Sequence, residues 1–227
     1  METHTREHRS LLASSERRLL IWIANRLPSW VTSDQLTLLG LLSMVAAGLA
    51  FATIQQSWVN VGAFILALGA NWFGDSLDGT LARVRRQPRP RYGYYVDHVI
   101  DLIGTVVIVG GMAASELMTP AIALLLLAAY FLVSAETFLA THAVGVFRLS
   151  FAAIGPTELR ILLAIGAVAV AAHPFSDIGR SRFLLLDVSA VVASAGLVLA
   201  FIASAIRNTR TLYRTEPLPR QDVGQAA

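Results

Sequence analysis

GDSLDGTLARVRRQPRPRYGYYVDHVID, residues 74–101, is the stretch that decides what kind of molecule this is. It sets four aspartates, Asp75, Asp78, Asp97 and Asp101, at the ends of two runs that are otherwise apolar enough for lipid. On insertion scales an ionised carboxylate at the centre of a membrane helix costs roughly 2.5–3.5 kcal/mol. Four would cost on the order of 10–14 kcal/mol if nothing compensated them. Such a cluster is tolerated where water or a cation neutralises it, which marks a functional site. An all-oxygen donor set points to a hard divalent cation.

The surrounding composition agrees. The chain has 227 residues, 55% of them hydrophobic, and a mean hydropathy of +0.60, which indicates a polytopic membrane protein rather than a soluble domain. There are no cysteines, so disulfides, thiolate zinc sites and cysteine nucleophiles are excluded. All 18 basic residues are arginines, so a lysine Schiff base is excluded as well. The basic balance does not indicate nucleic acid, because the arginines flank apolar spans and read as a topology signal.

Six spans of helix length follow one another, near residues 33–54, 58–86, 92–114, 119–147, 155–174 and 183–206. Each can cross a hydrocarbon core of about 30 Å at 1.5 Å per residue. The expected fold is therefore an all-α bundle of six transmembrane helices. An even number of spans puts both termini on one side. That side collects the arginines of the N-terminal segment, of the 83–91 connection, of Arg148 and of the C-terminal tail, whereas the other side has only Arg180 and Arg182. By the positive-inside rule, the termini and the aspartate end are expected to be cytoplasmic. Residues 10–27 pair leucines and Ile23 with Arg9, Arg17, Arg18 and Arg26, and read as a helix lying in the membrane interface. The resulting organisation is residues 1–31 as an N-terminal segment with an interfacial helix, 32–207 as a six-span catalytic domain, and 208–227 as a polar tail.

Spacing and depth bring the aspartates together. Asp75 lies roughly 25 Å along the second span, near its cytoplasmic end. Asp97 and Asp101 open the third span, which returns from the same side. The connection is short and contains Pro88 and Pro90, so the two helices are expected to be antiparallel neighbours. Offsets of three and four put each pair on one helix face. Four facing carboxylates repel one another without cations and suit one or two magnesium ions that keep positions for water or phosphate. Two metals could clamp both sides of a phosphoryl transfer. Gly79, Ala82 and Gly93 leave room for a flat ligand beside them, and Arg83 can fork onto phosphate oxygens.

The run Asp75-x-x-Asp78-Gly79-x-x-Ala82-Arg83, nine residues, Gly93-x-x-x-Asp97-x-x-x-Asp101 resembles the signature of the CDP-alcohol phosphotransferase family at all eight fixed positions. Thr32-Ser33-Asp34-Gln35-Leu36-Thr37 is similar to the family's T-P-N-x-L-T entry to the first span, with Ser33 and Asp34 departing from it. The resemblance implies a phospholipid-synthesising transferase in a prokaryotic inner membrane, dimeric, that moves a substituted phosphate from a CDP-linked donor to an alcohol and releases CMP. It implies Mg2+ or Mn2+, two ions, held by Asp75, Asp78, Asp97 and Asp101, with Asp101 also the general base. Nucleotide and diphosphate contacts would fall to Asp75, Asp78, Gly79, Ala82, Arg83, Gly93, Asp34 and Thr37. The compact six-span size resembles the phosphatidyltransferases that use CDP-diacylglycerol and a small polar alcohol.

The acceptor is marked by Glu158, Arg160 and Arg148, which could receive hydroxyls, an ammonium or a phosphate. Glu136 is a further candidate. Gly155-Pro156-Thr157-Glu158 resembles a stretch of the choline and ethanolamine phosphotransferases, which makes a CDP-amino-alcohol donor with diacylglycerol as acceptor the alternative. Pro156 and Glu158 also suit a helix first turn, and Thr32 or Ser33 also suits a helix cap. His98 points away from the aspartates and reads as structural. A divalent-cation transporter would need its carboxylates near the midplane, and a membrane prenyltransferase a larger bundle with separated motifs. A scaffold that has lost activity would not need all four aspartates.

Overall fold

Helix starts are written into the chain by caps and prolines. The computed structural model describes residues 13–144 and 155–216. Helix α1 spans Ala13–Ala24, α2 Ser33–Ala52, α3 Trp58–Val84, α4 Pro90–Ala114, α5 Pro120–Val144, α6 Pro156–Ala172 and α7 Leu185–Thr215. A single 3-10 turn, Ile54–Gln56, precedes α3, and the strands β1 (Phe175–Ile178) and β2 (Ser181–Leu184) precede α7. Thr32 caps α2 in a reciprocal box: its hydroxyl accepts the Gln35 N–H at 3.2 Å, and the Gln35 side chain accepts the Thr32 N–H at 2.8 Å. Ser57 caps α3. Pro90, Pro120 and Pro156 each stand at a first helical position, where the missing N–H costs no hydrogen bond.

Among the described residues, four helices, α2, α4, α5 and α7, are long and apolar enough to cross a membrane. Helix α3 has the length but carries Asp75, Asp78 and Arg83, and α6 has only 17 residues. Two features depart from the sequence expectation. The connection after α6 folds into a two-stranded antiparallel hairpin, with Ile178 opposite Ser181 around Gly179 at φ 65°; a glycine at the first central position of so tight a turn takes that φ without a Cβ clash. Helix α7 runs on to Thr215, past the expected boundary at 207.

The packing order also differs from expectation. Helices α3 and α4 are not close neighbours; α2 packs along both. The reason is a set of glycines. A Cβ on Gly74 would stand 2.5 Å from the Leu36 carbonyl oxygen and 2.7 Å from the Gly40 nitrogen. One on Gly111 would stand 2.1 Å from the Gly48 carbonyl oxygen, and one on Gly48 2.6 Å from that of Val107. Backbone therefore meets backbone on two adjacent faces of α2, as in small-residue seams between membrane helices. The main apolar core lies beyond the seam, where Phe51 meets Phe64 edge to face at 5.0 Å. Helix α1 buries Leu20 and Ala24 against Leu77 and Leu81 of α3, so part of its apolar face packs on the protein.

Substituting Gly111 by Ala should destabilise the bundle by roughly 1–3 kcal/mol, because neither backbone at the seam can give way. Gly110→Ala should be neutral or stabilising by up to about 1 kcal/mol, since open space surrounds that position. Thermal unfolding of both variants in one detergent checks the contrast.

Candidate active site

Asp75, Asp78, Asp97 and Asp101 line a single cavity together with Thr37, Gly40, Asn71 and Ile100. The glycine seam explains the position. Gly40 against Gly74 lets the start of α2 lie on the face of α3 that carries Asp75 and Asp78, while Gly48 against Gly111 brings α4 to the adjacent face of α2. Thr37 then donates its hydroxyl to Asp78 Oδ2 at 2.7 Å, and Ser33 donates to the Asp78 carbonyl oxygen. Asp78 Oδ1 also accepts the Gly79 N–H, and the Asp78 residue is buried. The free volume between the carboxylates is ≈ 10 Å³, room for about one water or one small cation.

The partner that neutralises part of this charge comes from α6. Arg160 Nη2 lies 2.6 Å from Asp75 Oδ2, and its Nε donates to Asn71 Oδ1 at 2.7 Å. Asn71 Nδ2 in turn donates to the Gly40 carbonyl oxygen at 3.0 Å, so one amide ties α2, α3 and α6 together. Arg160 Nη1 is buried and has no hydrogen-bond partner among the described residues. Asn71 escaped the sequence reading. Its signal was available: it stands four residues before Asp75, a polar side chain on the same face of an apolar run. Counting Asp75, Asp78, Asp97 and Asp101 as −4 and Arg160 as +1, the cluster holds a formal charge of −3. Among the described residues no three side chains of metal-binding type stand ready as a chelating group. The donors nevertheless suit a divalent cation: all are hard oxygens, they share one cavity, and Arg160 offsets only part of their formal charge.

Other candidates fall at varying distances from this centre. Asp34 forms an exposed ion pair with Arg89. Arg83 donates to Thr80 Oγ1 at 3.0 Å, and its guanidinium covers Gly79, where an added Cβ would lie 3.4 Å from Nη1. Ala82 is half-buried on the same helix, and nothing stands within 4 Å of a Cβ at Gly93. Glu158 accepts the Gly155 N–H at 3.0 Å, the capping arrangement its position at the head of α6 suggests. Glu136 is buried between α5 and α7, accepts a hydrogen bond from Asn208 at 2.7 Å, and does not line the aspartate cavity. Arg148 lies outside the described residues. His98 Nδ1 donates to the Tyr94 carbonyl oxygen, and its ring packs against Tyr94 and Phe138, which gives it a structural place between α4 and α5. Arg85 donates to the carbonyl oxygens of Leu27, Pro28 and Val31 and so ties the link between α1 and α2 to the end of α3. Sequence alone treats it only as a topology charge.

Fold and site together define a helical, multi-pass membrane protein with a carboxylate-lined polar centre. The chain belongs to the CDP-alcohol phosphatidyltransferase family, whose family model matches residues 30–206, and it is a transferase of substituted phosphate groups. Among solved structures it is similar to the crystal structure of Mycobacterium tuberculosis phosphatidylinositol phosphate synthase (PgsA1) with CDP-DAG bound. The TM-score is 0.53 at 22% identity, over 92% of this chain and 100% of that one. At that identity the likeness speaks for the fold. No curated protein matches the chain at a significant level.

Asn71→Leu should cost about 1–3 kcal/mol of stability, because it leaves the buried Arg160 Nε–H without its partner and removes the tie to the Gly40 carbonyl. Asp34→Ala, at an exposed ion pair, should cost less than about 1 kcal/mol. Denaturation of the two variants in the same detergent measures the difference.

Proposed function

We propose that this enzyme transfers the phosphatidyl group of CDP-diacylglycerol to a small polar alcohol and releases CMP. The observation that carries the reading is the meeting, at one cavity, of four carboxylates that arrive in the family's own spacing on α3 and α4. Asp75, Asp78 and Asp97, with Asp101 sharing, would hold one or two Mg2+ or Mn2+ ions. Bound there, the ions would supply positive charge opposite the donor's diphosphate. The space between the carboxylates admits a cation but not a nucleotide. The cytidine and diphosphate would therefore lie outside it, along the low relief of Gly79 and Ala82, with Gly93 opposite and Asp34 and Thr37 at the head of α2. Arg83 would swing from Thr80 onto phosphate oxygens.

Asp101 takes the proton of the acceptor hydroxyl in this scheme. The acceptor oxygen forms its bond to the phosphatidyl phosphorus as the bond from that phosphorus to the CMP oxygen breaks, and the electron pair leaves with CMP. No covalent enzyme intermediate is required. Arg160 stands beside the reacting centre with one buried N–H donor pair still to satisfy, which suits a hydroxyl or phosphate of the acceptor. An apolar groove of ≈ 450 Å³ between α4 and α5 begins at Leu102 and Ile103, directly after Asp101, and would take an acyl chain of the donor. The bound CDP-DAG of the mycobacterial structure is in keeping with that donor. The alternative donor, a CDP-amino alcohol, could place its ammonium group at Glu158, which in this structure accepts the Gly155 N–H at the head of α6.

The same reading has all six helices from α2 to α7 in the membrane, α3 and α6 included. The aspartate end and both termini face the cytoplasm of a prokaryotic cell. The assembly is a homodimer.

CMP release by purified protein in lipid–detergent micelles with Mg2+ tests the reading. The donor is CDP-diacylglycerol, and the acceptors are inositol, inositol phosphate, glycerol phosphate, serine, ethanolamine and choline. One acceptor should support release, chelation of divalent ions should stop it, and Asp101→Asn should lower it at least about 100-fold. Asp75→Ala, Asp78→Ala and Asp97→Ala should each abolish it. Activity that survives these three replacements would sink the assignment. Release only from CDP-choline or CDP-ethanolamine with diacylglycerol would move it to the alternative donor.

A further inference from the structure

One carboxylate far from the cavity in sequence touches both α3, which carries Asp75 and Asp78, and α6, which carries Arg160. Glu16 Oε1, on α1, accepts the Trp72 Nε1–H at 2.6 Å and the Thr157 hydroxyl at 2.8 Å. Trp72 stands three residues before Asp75 on α3, and Thr157 three residues before Arg160 on α6. An offset of three keeps each pair on one helix face. The faces that Glu16 joins are therefore the faces that carry the Asp75–Arg160 ion pair.

The rest of α6 shows why this matters. The residues of α6 packed into the apolar core begin at Leu163 and continue through Val170 and Ala171. Before that point Leu159, Ile161 and Leu162 are exposed. The first turn and a half of α6 is held to α3 through polar groups: Arg160 to Asn71 and Asp75, and Thr157 to Glu16. Helix α1 is itself fixed at two points, by Leu20 and Ala24 on α3 and by the Arg85 clamp just beyond its end. It is thus a rigid base from which Glu16 can act.

We propose that Glu16 is a positioning residue: it locks the head of α6 onto α3 so that the Arg160 guanidinium stays at Asp75. Helix α1 is then a brace of the active site as well as an interfacial helix. The inference rests on the proposed function only for its activity readout.

The chain has no cysteine, so spin labels at Arg18→Cys and Leu162→Cys report the α1–α6 distance without background. Glu16→Ala should broaden that distribution at least twofold, and Glu16→Gln, which keeps a carbonyl acceptor, should leave it unchanged. CMP release from CDP-diacylglycerol should fall about tenfold in Glu16→Ala and recover in Glu16→Gln. In an Arg160→Ala background Glu16→Ala should cost less than about twofold more, because the two residues act through one pathway. Trp72→Phe and Thr157→Val, each removing one donor, repeat the distance test if Glu16→Ala does not fold. A distance distribution that none of these variants alters overturns the proposal, and so does an equal loss of activity in both backgrounds. If the wild-type protein releases no CMP with any acceptor, the functional reading fails and the distance measurement alone decides the role of Glu16.

Discussion

Backbone-to-backbone contact along α2 is the constraint on which the rest depends. Gly40 against Gly74, and Gly48 against Gly111, remove the side chains that would otherwise hold helices 8–10 Å apart. Two helices can then lie on adjacent faces of α2 without a thick apolar layer between. The short hydroxyls at the head of α2 become reachable: Thr37 and Ser33 both donate to Asp78. Close approach is thus what converts two aspartate-bearing helices, not packed on one another, into a single cavity.

The electrostatics follow from the same packing. Carboxylates from α3 and α4 point into one small space, where they repel one another in a medium less polar than water. The structure meets part of that cost with a single arginine from α6, held to Asn71 and Asp75 at once. The remainder is the charge deficit that a divalent cation would fill. Elsewhere among the described residues, buried Glu136 accepts a hydrogen bond from Asn208 between α5 and α7.

Much of this was legible in the chain. The apolar runs, the prolines and the Thr32–Gln35 box mark where α2 to α7 begin, because caps and periodicity are local properties. The aspartates and their offsets of three and four mark the site and which face of each helix bears it. The hairpin at Phe175–Leu184 and the extension of α7 to Thr215 were missed: the turn rests on one glycine, and the last helical turns are polar. Asn71, Arg85 and Glu16 were missed as well, since each acts on a residue tens of positions away.

What the sequence by itself determined is the class of protein and the four aspartates that meet at its central cavity. Apolar length, an arginine-only basic set and eight spaced residues are properties of composition and local order, and they need no partner in space. Only the tertiary structure decided that α2, not direct contact, joins α3 to α4, and that Arg160, rather than Glu158, reaches the aspartates. It also decided that Glu16 of α1 reaches both Trp72 of α3 and Thr157 of α6. These are matters of which surfaces can approach closely, and that depends on where glycines of different helices meet, which no single segment encodes.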